Sequence, residues 1–497
     1  MKPLKKITVL VTLLYFGIGF SQSENVFLQR DYWKGNPDID NIEKKIAEGN
    51  DPTELNQNAF DAVTYALLED ANATSIIHLL SKKGNGVNKI THDSRTYIFW
   101  AAYRGNLEMM KFLLANGAKT DLVDSHGNSP INFIAATGQM DTAIYDFLIS
   151  NGADPREGNK RDGANALLLI SPFLEDDKMI TYFTDKGVDL HSKDDKGNGI
   201  FNYAAKKGNM AFLDLLIKKG VSYKNENKEG GNAHIFAAQG YRRSTNGLEV
   251  FQYLENLGIA PNVVTSSGQT PLHNLAAYSK DVSVFNYFIE KGVDVNQQDK
   301  SGNTPLMNAA RRNTMAIVRL LAAKTSNINT VNKEGQSALT MAIRQKGTSM
   351  INFLMEQGAT VNVKDRDGNT LAHYLLNTFN SKEPEQFNGK LKALQKSGFV
   401  FKEKQAKENT LWHLAVQKKD IALMELINTF DVPINLKNSD GLTPLHMAAM
   451  QSESDVSLKY LVANGADKKI KTDFDESVFD LVNNNELLKS INLDFLK

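Results

Sequence analysis

His234, His273, His373, His413 and His446 are the residues that most invite a chemical role, because imidazole binds transition metals and moves protons near neutral pH. They are five of nine histidines, and each follows a helix start at the same place in a recurring segment. Stacked helices stand about 10 Å apart, whereas one metal needs all its ligands at about 2 Å. The five therefore read as framework, and no metal site is expected. The signatures Gly-x-Ser-x-Gly, Gly-x-x-x-x-Gly-Lys and His-Glu-x-x-His are absent. Asp194, Asp299, Asp365 and Asp440 fall at equivalent turns, where a short carboxylate closes the turn before it does anything else. No catalytic residue and no cofactor is expected.

The elements that carry these residues recur. Asp440 to Asp467 reads DGLTPLHMAAMQSESDVSLKYLVANGAD, and close variants occupy Ser267 to Asn296 and Ser301 to Asn329. The glycine near the start of each recurs at Gly127, Gly163, Gly197, Gly230, Gly268, Gly302, Gly335, Gly368 and Gly441, mostly in steps of 33 to 36 residues. Thr443 suits an N-cap and Pro444 the first helical position, where no N–H is needed. Leu445, Ala448 and Ala449 give that helix a face of small apolar residues. Leu458, Leu461 and Val462 mark a second helix, which Gly465 ends. The following Asp-x-x-Gly is turn chemistry, so an extended hairpin links one helix pair to the next.

The Thr-Pro-Leu-His start, the Ala-Ala pair, the terminal Gly-Ala-Asp and the period near 33 resemble the ankyrin repeat. That resemblance implies an all-α repeat solenoid, a curved stack of helix-turn-helix pairs and hairpins with about twelve full repeats. The array is expected over residues 58–473, with an N-terminal capping repeat at 22–57 and a C-terminal capping half-repeat and tail at 474–497. About fourteen layers at 9 to 10 Å each predict an arc roughly 130 Å long. The repeats leave no unassigned stretch longer than about 30 residues, too little for an appended enzyme domain. The resemblance also makes the five histidines structural, each ring bonding near the threonine cap and the neighbouring backbone.

Residues 1–21 read differently. Lys2, Lys5 and Lys6 precede an apolar run from Ile7 to Phe20, and Gly19 and Ser21 are spaced as a cleavage site requires. The run is shorter than the ~20 residues of a spanning helix, so a secretory signal peptide cut after Ser21 is expected. The absence of cysteine removes disulfides, thiolate metal sites and a lipid anchor. Without a later spanning segment, the mature chain is expected to be a monomer outside the membrane, periplasmic or secreted. Lys plus Arg and Asp plus Glu both total 57, so no net field draws nucleic acid to the molecule.

A pattern with binding chemistry follows the Ala-Ala pair. It gives Tyr103 and Arg104, Lys206 and Lys207, Arg311 and Arg312, Arg344 and Gln345, then Gln417 and Lys418. In ankyrin proteins these positions line the concave surface that meets partners, so Tyr103, Arg104, Lys206, Lys207, Arg311, Arg312, Arg344 and Lys418 are the candidate partner-binding residues. A second role is open to the same cations, which at a helix C-terminus offset the helix dipole. Hairpin tips carry the opposite sign at Asp195, Glu229, Glu334, Asp367 and Asp440. Three segments depart from the pattern: 241–247, 377–389 with Glu408 in the next glycine position, and LISPFLEDDK between Leu169 and Lys178. They read as surface loops, either drift or binding insertions. The expected function is a non-enzymatic scaffold for a protein or peptide partner; the alternative is a dedicated inhibitor, immunity or stress-protection partner of one envelope enzyme.

Overall fold

The computed structural model describes residues 25–345 and 347–497. The signal peptide expected at residues 1–21 lies outside the described residues. Among the described residues the regular structure is helical, and pairing between extended segments is limited to isolated bridges at Tyr241–Ser244 and Val331–Ser337. No helix among them is long and apolar enough to cross a membrane.

The chain divides into two compact units, one ending at Asp195 and one beginning at Lys196. The division falls in the hairpin that follows the repeat whose first helix is cut to Ala166–Ile170. In the N-terminal unit the helices Arg30–Lys34 and Ile39–Ala47 precede four helix pairs, which span 62–80, 97–115, 130–150 and 166–185. In the C-terminal unit eight pairs run from Ile200 to Ala463, and Val478–Asn484 follows with two 3-10 turns, Glu486–Leu488 and Asp494–Leu496.

Local chemistry sets each pair. At Pro444–Gln451 the Thr443 hydroxyl accepts the His446 N–H, and the His446 ring accepts the Thr443 N–H at 3.0 Å. The same reciprocal cap starts Pro271–Tyr278 and Leu411–Lys418. Small residues then bring first helices together: Ala101, Ala102, Ala309, Ala310, Ala448 and Ala449 are wholly buried. Leu458 and Leu461 are the buried face of the second helix Val456–Ala463, while Val462 is half-buried.

The hairpins close by one repeated device. A side-chain oxygen accepts two backbone N–H groups, as Asn332 Oδ1 does from Glu334 and Gln336 and Asp365 Oδ1 from Asp367 and Asn369. At the last full repeat this role belongs to Asn438, which takes the N–H groups of Asp440 and Leu442; Asp440, expected as the turn former, is exposed. One backbone bond joins successive tips, such as Lys300 N–H to the Ser267 carbonyl and Lys333 N–H to that of Ser301. That approach explains Gly268: its φ is +74°, and a Cβ there would lie 2.4 Å from the Gln298 carbonyl oxygen. Glu408 adopts φ +58°, the conformation expected of its glycine position.

The departing segments are more ordered than loops. The last six residues of 377–389 begin the helix Pro384–Lys396, because Pro384 sits at its first turn and Phe387 is buried against Phe379. That helix also buries Lys390, whose Nζ donates to the Ile343 carbonyl at 2.7 Å; burial pushes its pKa below the usual lysine range. Segment 241–247 is a tight turn closed by mutual backbone bonds of Tyr241 and Ser244. LISPFLEDDK forms the end of a helix and a 3-10 turn, Ser171–Phe173.

Candidate protein-binding face

The candidate residues sit at or just past the C-terminal ends of first helices, directly after an Ala-Ala pair or its Ala342-Ile343 and Ala415-Val416 equivalents. In the N-terminal unit Arg104 is exposed in the last turn of Tyr97–Arg104, and half-buried Tyr103 has its ring 5.9 Å from that of Phe133. In the C-terminal unit Lys206 is half-buried, while Lys207, Arg311, Arg312, Arg344 and Lys418 are exposed.

Aromatic rings from the same helix or the adjacent repeat lie under several of these cations. Lys206 Nζ stands 4.6 Å from the Tyr203 ring centre and 5.3 Å from that of Phe236. Lys207 stands 5.8 Å from Tyr241, Arg312 5.7 Å from Tyr278 and Arg344 5.4 Å from Tyr374. Arg312 also donates to the Tyr278 hydroxyl at 2.6 Å. A ring holds a cation by its quadrupole without neutralising it, so the side chain is oriented and its charge still faces solvent. Gln239, Asn274, Tyr278, Asn308, Arg311 and Arg312 are among the residues around a depression of about 360 Å³.

The carbonyls at these helix ends are served by other groups. Asn313 Nδ2 donates to the Ala276 and Ser279 carbonyls at 2.9 and 2.8 Å, Asn246 Nδ2 to those of Ala205 and Lys206, and Gln345 Nε2 to that of Ala310. In the N-terminal unit Gln139 reaches Ala102 and Tyr103 in the same way. At these helices an amide from the following repeat thus caps the helix before it, whereas at the end of Ala338–Ala342 the Ile343 carbonyl is taken by Lys390 Nζ. Gln345 is such a cap, although its position falls within the cationic pattern.

Sequence reasoning passed over Tyr278, which holds the position of Tyr103 and Arg311 after an Ala-Ala pair; attention to charge alone hid the aromatic partner. Tyr374 carried a weaker signal, since only stacking brings its ring under Arg344 of the preceding repeat, whereas Tyr203 stands three residues before Lys206.

The histidines divide. His273, His413 and His446 accept the threonine N–H at Nδ1 and donate Nε2–H to the Asn303, Leu442 and Ile470 carbonyls at 3.1, 2.9 and 2.9 Å. Burial disfavours the imidazolium and lowers all three pKa values, that of His413 to about 4. His234 is one residue out of register, four after Gly230 rather than five. It is buried and its Nε2 lies 3.2 Å from the Ile259 carbonyl, but it closes no reciprocal cap. His373 keeps the register and yet is half-buried, bonded to Asn377 at 3.0 Å, because Gln405 Oε1 takes the Thr370 N–H at 2.9 Å. No cluster of three His, Cys, Asp or Glu groups suited to a metal ion occurs among the described residues.

Comparison with known proteins accords with this architecture. Within a phosphocholine transferase, AnkX of Legionella pneumophila, 190 residues are 23% identical, 38% of this chain and 20% of that protein. The human transient receptor potential cation channel subfamily A member 1 is 25% identical over 193 residues, 37% of this chain and 17% of the channel. Human neurogenic locus notch homolog protein 1 is 27% identical over 160 residues, 32% of this chain and 6% of that protein. The chain thus spans a fifth or less of the length of these relatives, and the match to the transferase covers only repeats. The model of the ankyrin repeats, in three copies, matches residues 63–162, 243–330, 274–365 and 385–472, more than half of the sequence. With the period, the reciprocal caps and the stacked hairpins, this match means that the chain belongs to the ankyrin-repeat family.

Proposed function

We propose that this protein is a non-enzymatic scaffold that acts outside the cytoplasm and holds protein partners through the ends of its first helices. One observation carries the reading. Lys207 and Arg312 are poised over tyrosines, while Asn246 and Gln345 of the next repeats take carbonyls at the ends of the helices that carry them. A charge that helix capping does not consume is available to an acidic partner, for which it raises encounter rate and fixes orientation. Action outside the cytoplasm rests on the basic start and apolar run of residues 1–21.

Both halves are testable. The secreted form should begin at Gln22 and appear in the osmotic-shock fraction; full-length protein with Met1 in the membrane pellet would contradict export. Affinity capture from envelope extract, with mass spectrometry, should recover proteins that K207E/R312E/R344E/K418E loses. Equal recovery by both forms would sink the binding face. One stoichiometric partner marks a dedicated regulator, and several weaker ones mark a scaffold.

A further inference from the structure

Two repeats of the N-terminal unit, at 130–150 and 166–185, are joined by a hairpin with one extra residue. Gly152 to Gly163 is 11 positions, whereas Gly117 to Gly127 and Gly187 to Gly197 are 10. Beneath that hairpin the histidine position, five residues after Gly127, holds Asn132. At this position His273, His413 and His446 fill the space with a ring and reach a carbonyl of the next repeat. Asparagine is shorter. Its Nδ2 donates to the Glu157 carbonyl at 3.2 Å, while its Oδ1, on a side chain only 2% exposed, meets no donor among the described residues. The shorter side chain and the longer hairpin leave a pocket of about 190 Å³ lined by Asn132.

Its lining is small and acidic. Gly152 has open space where a Cβ would stand, and three carboxylates, Asp121, Asp154 and Glu157, stand against one cation, Lys160. Arg156 already holds Asp154, with Nη2 2.7 Å from Oδ2. Asp121 and Glu157 are exposed and have no ion-pair partner among the described residues. An occupant must donate to the amide oxygen and satisfy two carboxylates at the rim. A water donates two hydrogens and carries no charge; a guanidinium offers five donors in a plane with its charge.

We propose that this pocket is a binding site for a guanidinium group, from a small free base or from an arginine side chain of a partner protein. It is separate from the basic face and prefers the opposite charge, so it stands or falls independently of that reading.

Saturation-transfer NMR on the full chain tests it with three probes: N-acetylarginine amide, agmatine and the uncharged N-acetylcitrulline amide. Arginine amide should bind saturably and the citrulline compound at least tenfold more weakly. Asn132→His, which introduces the ring that His273, His413 and His446 place at this position, should weaken arginine binding at least tenfold. D121N/E157Q alters only exposed carboxylates, keeps the test open if N132H misfolds, and should weaken binding to a similar degree. Agmatine matching the arginine amide assigns the site to a free base; a clear preference for the amide assigns it to a protein side chain. No saturable binding, equal binding of citrulline, or undiminished binding by folded N132H or by D121N/E157Q would overturn the proposal and leave a pocket that holds water only.

Discussion

His413 shows how one residue type can look like chemistry and serve as structure. Its ring joins two repeats at 3.0 and 2.9 Å, and burial lowers its pKa from 6.5 to about 4. The unfolded chain therefore binds a proton that the folded chain refuses. The ring's contribution to stability is complete above pH 6.5 and is lost as pH falls toward 4, by about 3 kcal/mol over that window. Urea denaturation at pH 7 and pH 4.5 should show the wild type losing more stability than His413→Gln; parallel losses would assign the acid sensitivity elsewhere. Gly268 makes the matching case for backbone. With φ at +74° and the Gln298 carbonyl at 2.4 Å from a Cβ, Gly268→Ala should cost more than the ~1 to 2 kcal/mol of a left-handed alanine. An unchanged denaturation midpoint would mean that the hairpins do not abut as described.

Helices and hairpins inherit these residues as repeated interfaces. Leu306 is 2% exposed in Pro305–Arg312, which packs against the first helices before and after it. Leu306→Ala should cost roughly 2 to 4 kcal/mol through the cavity left behind. Because repeats contact mainly their neighbours, that loss should divide the unfolding transition followed by circular dichroism, instead of shifting it as one block. The helix pairs were legible in the sequence, since proline, the Ala-Ala pair and the hairpin glycine each act within a few residues of their own position. The segment 377–389 reads as a loop, yet its end folds into the helix that starts at Pro384, because proline breaks a helix interior but suits a first turn. The slip of His234 is visible as a four-residue spacing from Gly230 once the caps are compared. The pocket beside Asn132 was not legible, because it depends on a short side chain at the histidine position coinciding with an extra residue in the next hairpin.

At the scale of the molecule, a net charge of zero conceals sorting. Acids at the hairpin tips meet bases from neighbouring tips, as Glu229 meets Lys196 at 3.1 Å and Glu334 meets Arg366 at 3.0 Å. These exposed pairs add little stability, but they neutralise the tips. In the C-terminal unit Lys207, Arg312, Arg344 and Lys418 remain exposed at equivalent helix ends, so their fields add on that face. The central claim is that these charges serve recognition, and the rival is that they balance helix dipoles at about 0.3 to 1 kcal/mol each. The direct measurement is the rate at which K207E/R312E/R344E/K418E associates with a captured partner at low and moderate salt, beside its melting temperature. Slower association that has lost its salt dependence, with melting little changed, is the expected result. A variant that melts lower but binds at the original rate, with the original salt dependence, would contradict it.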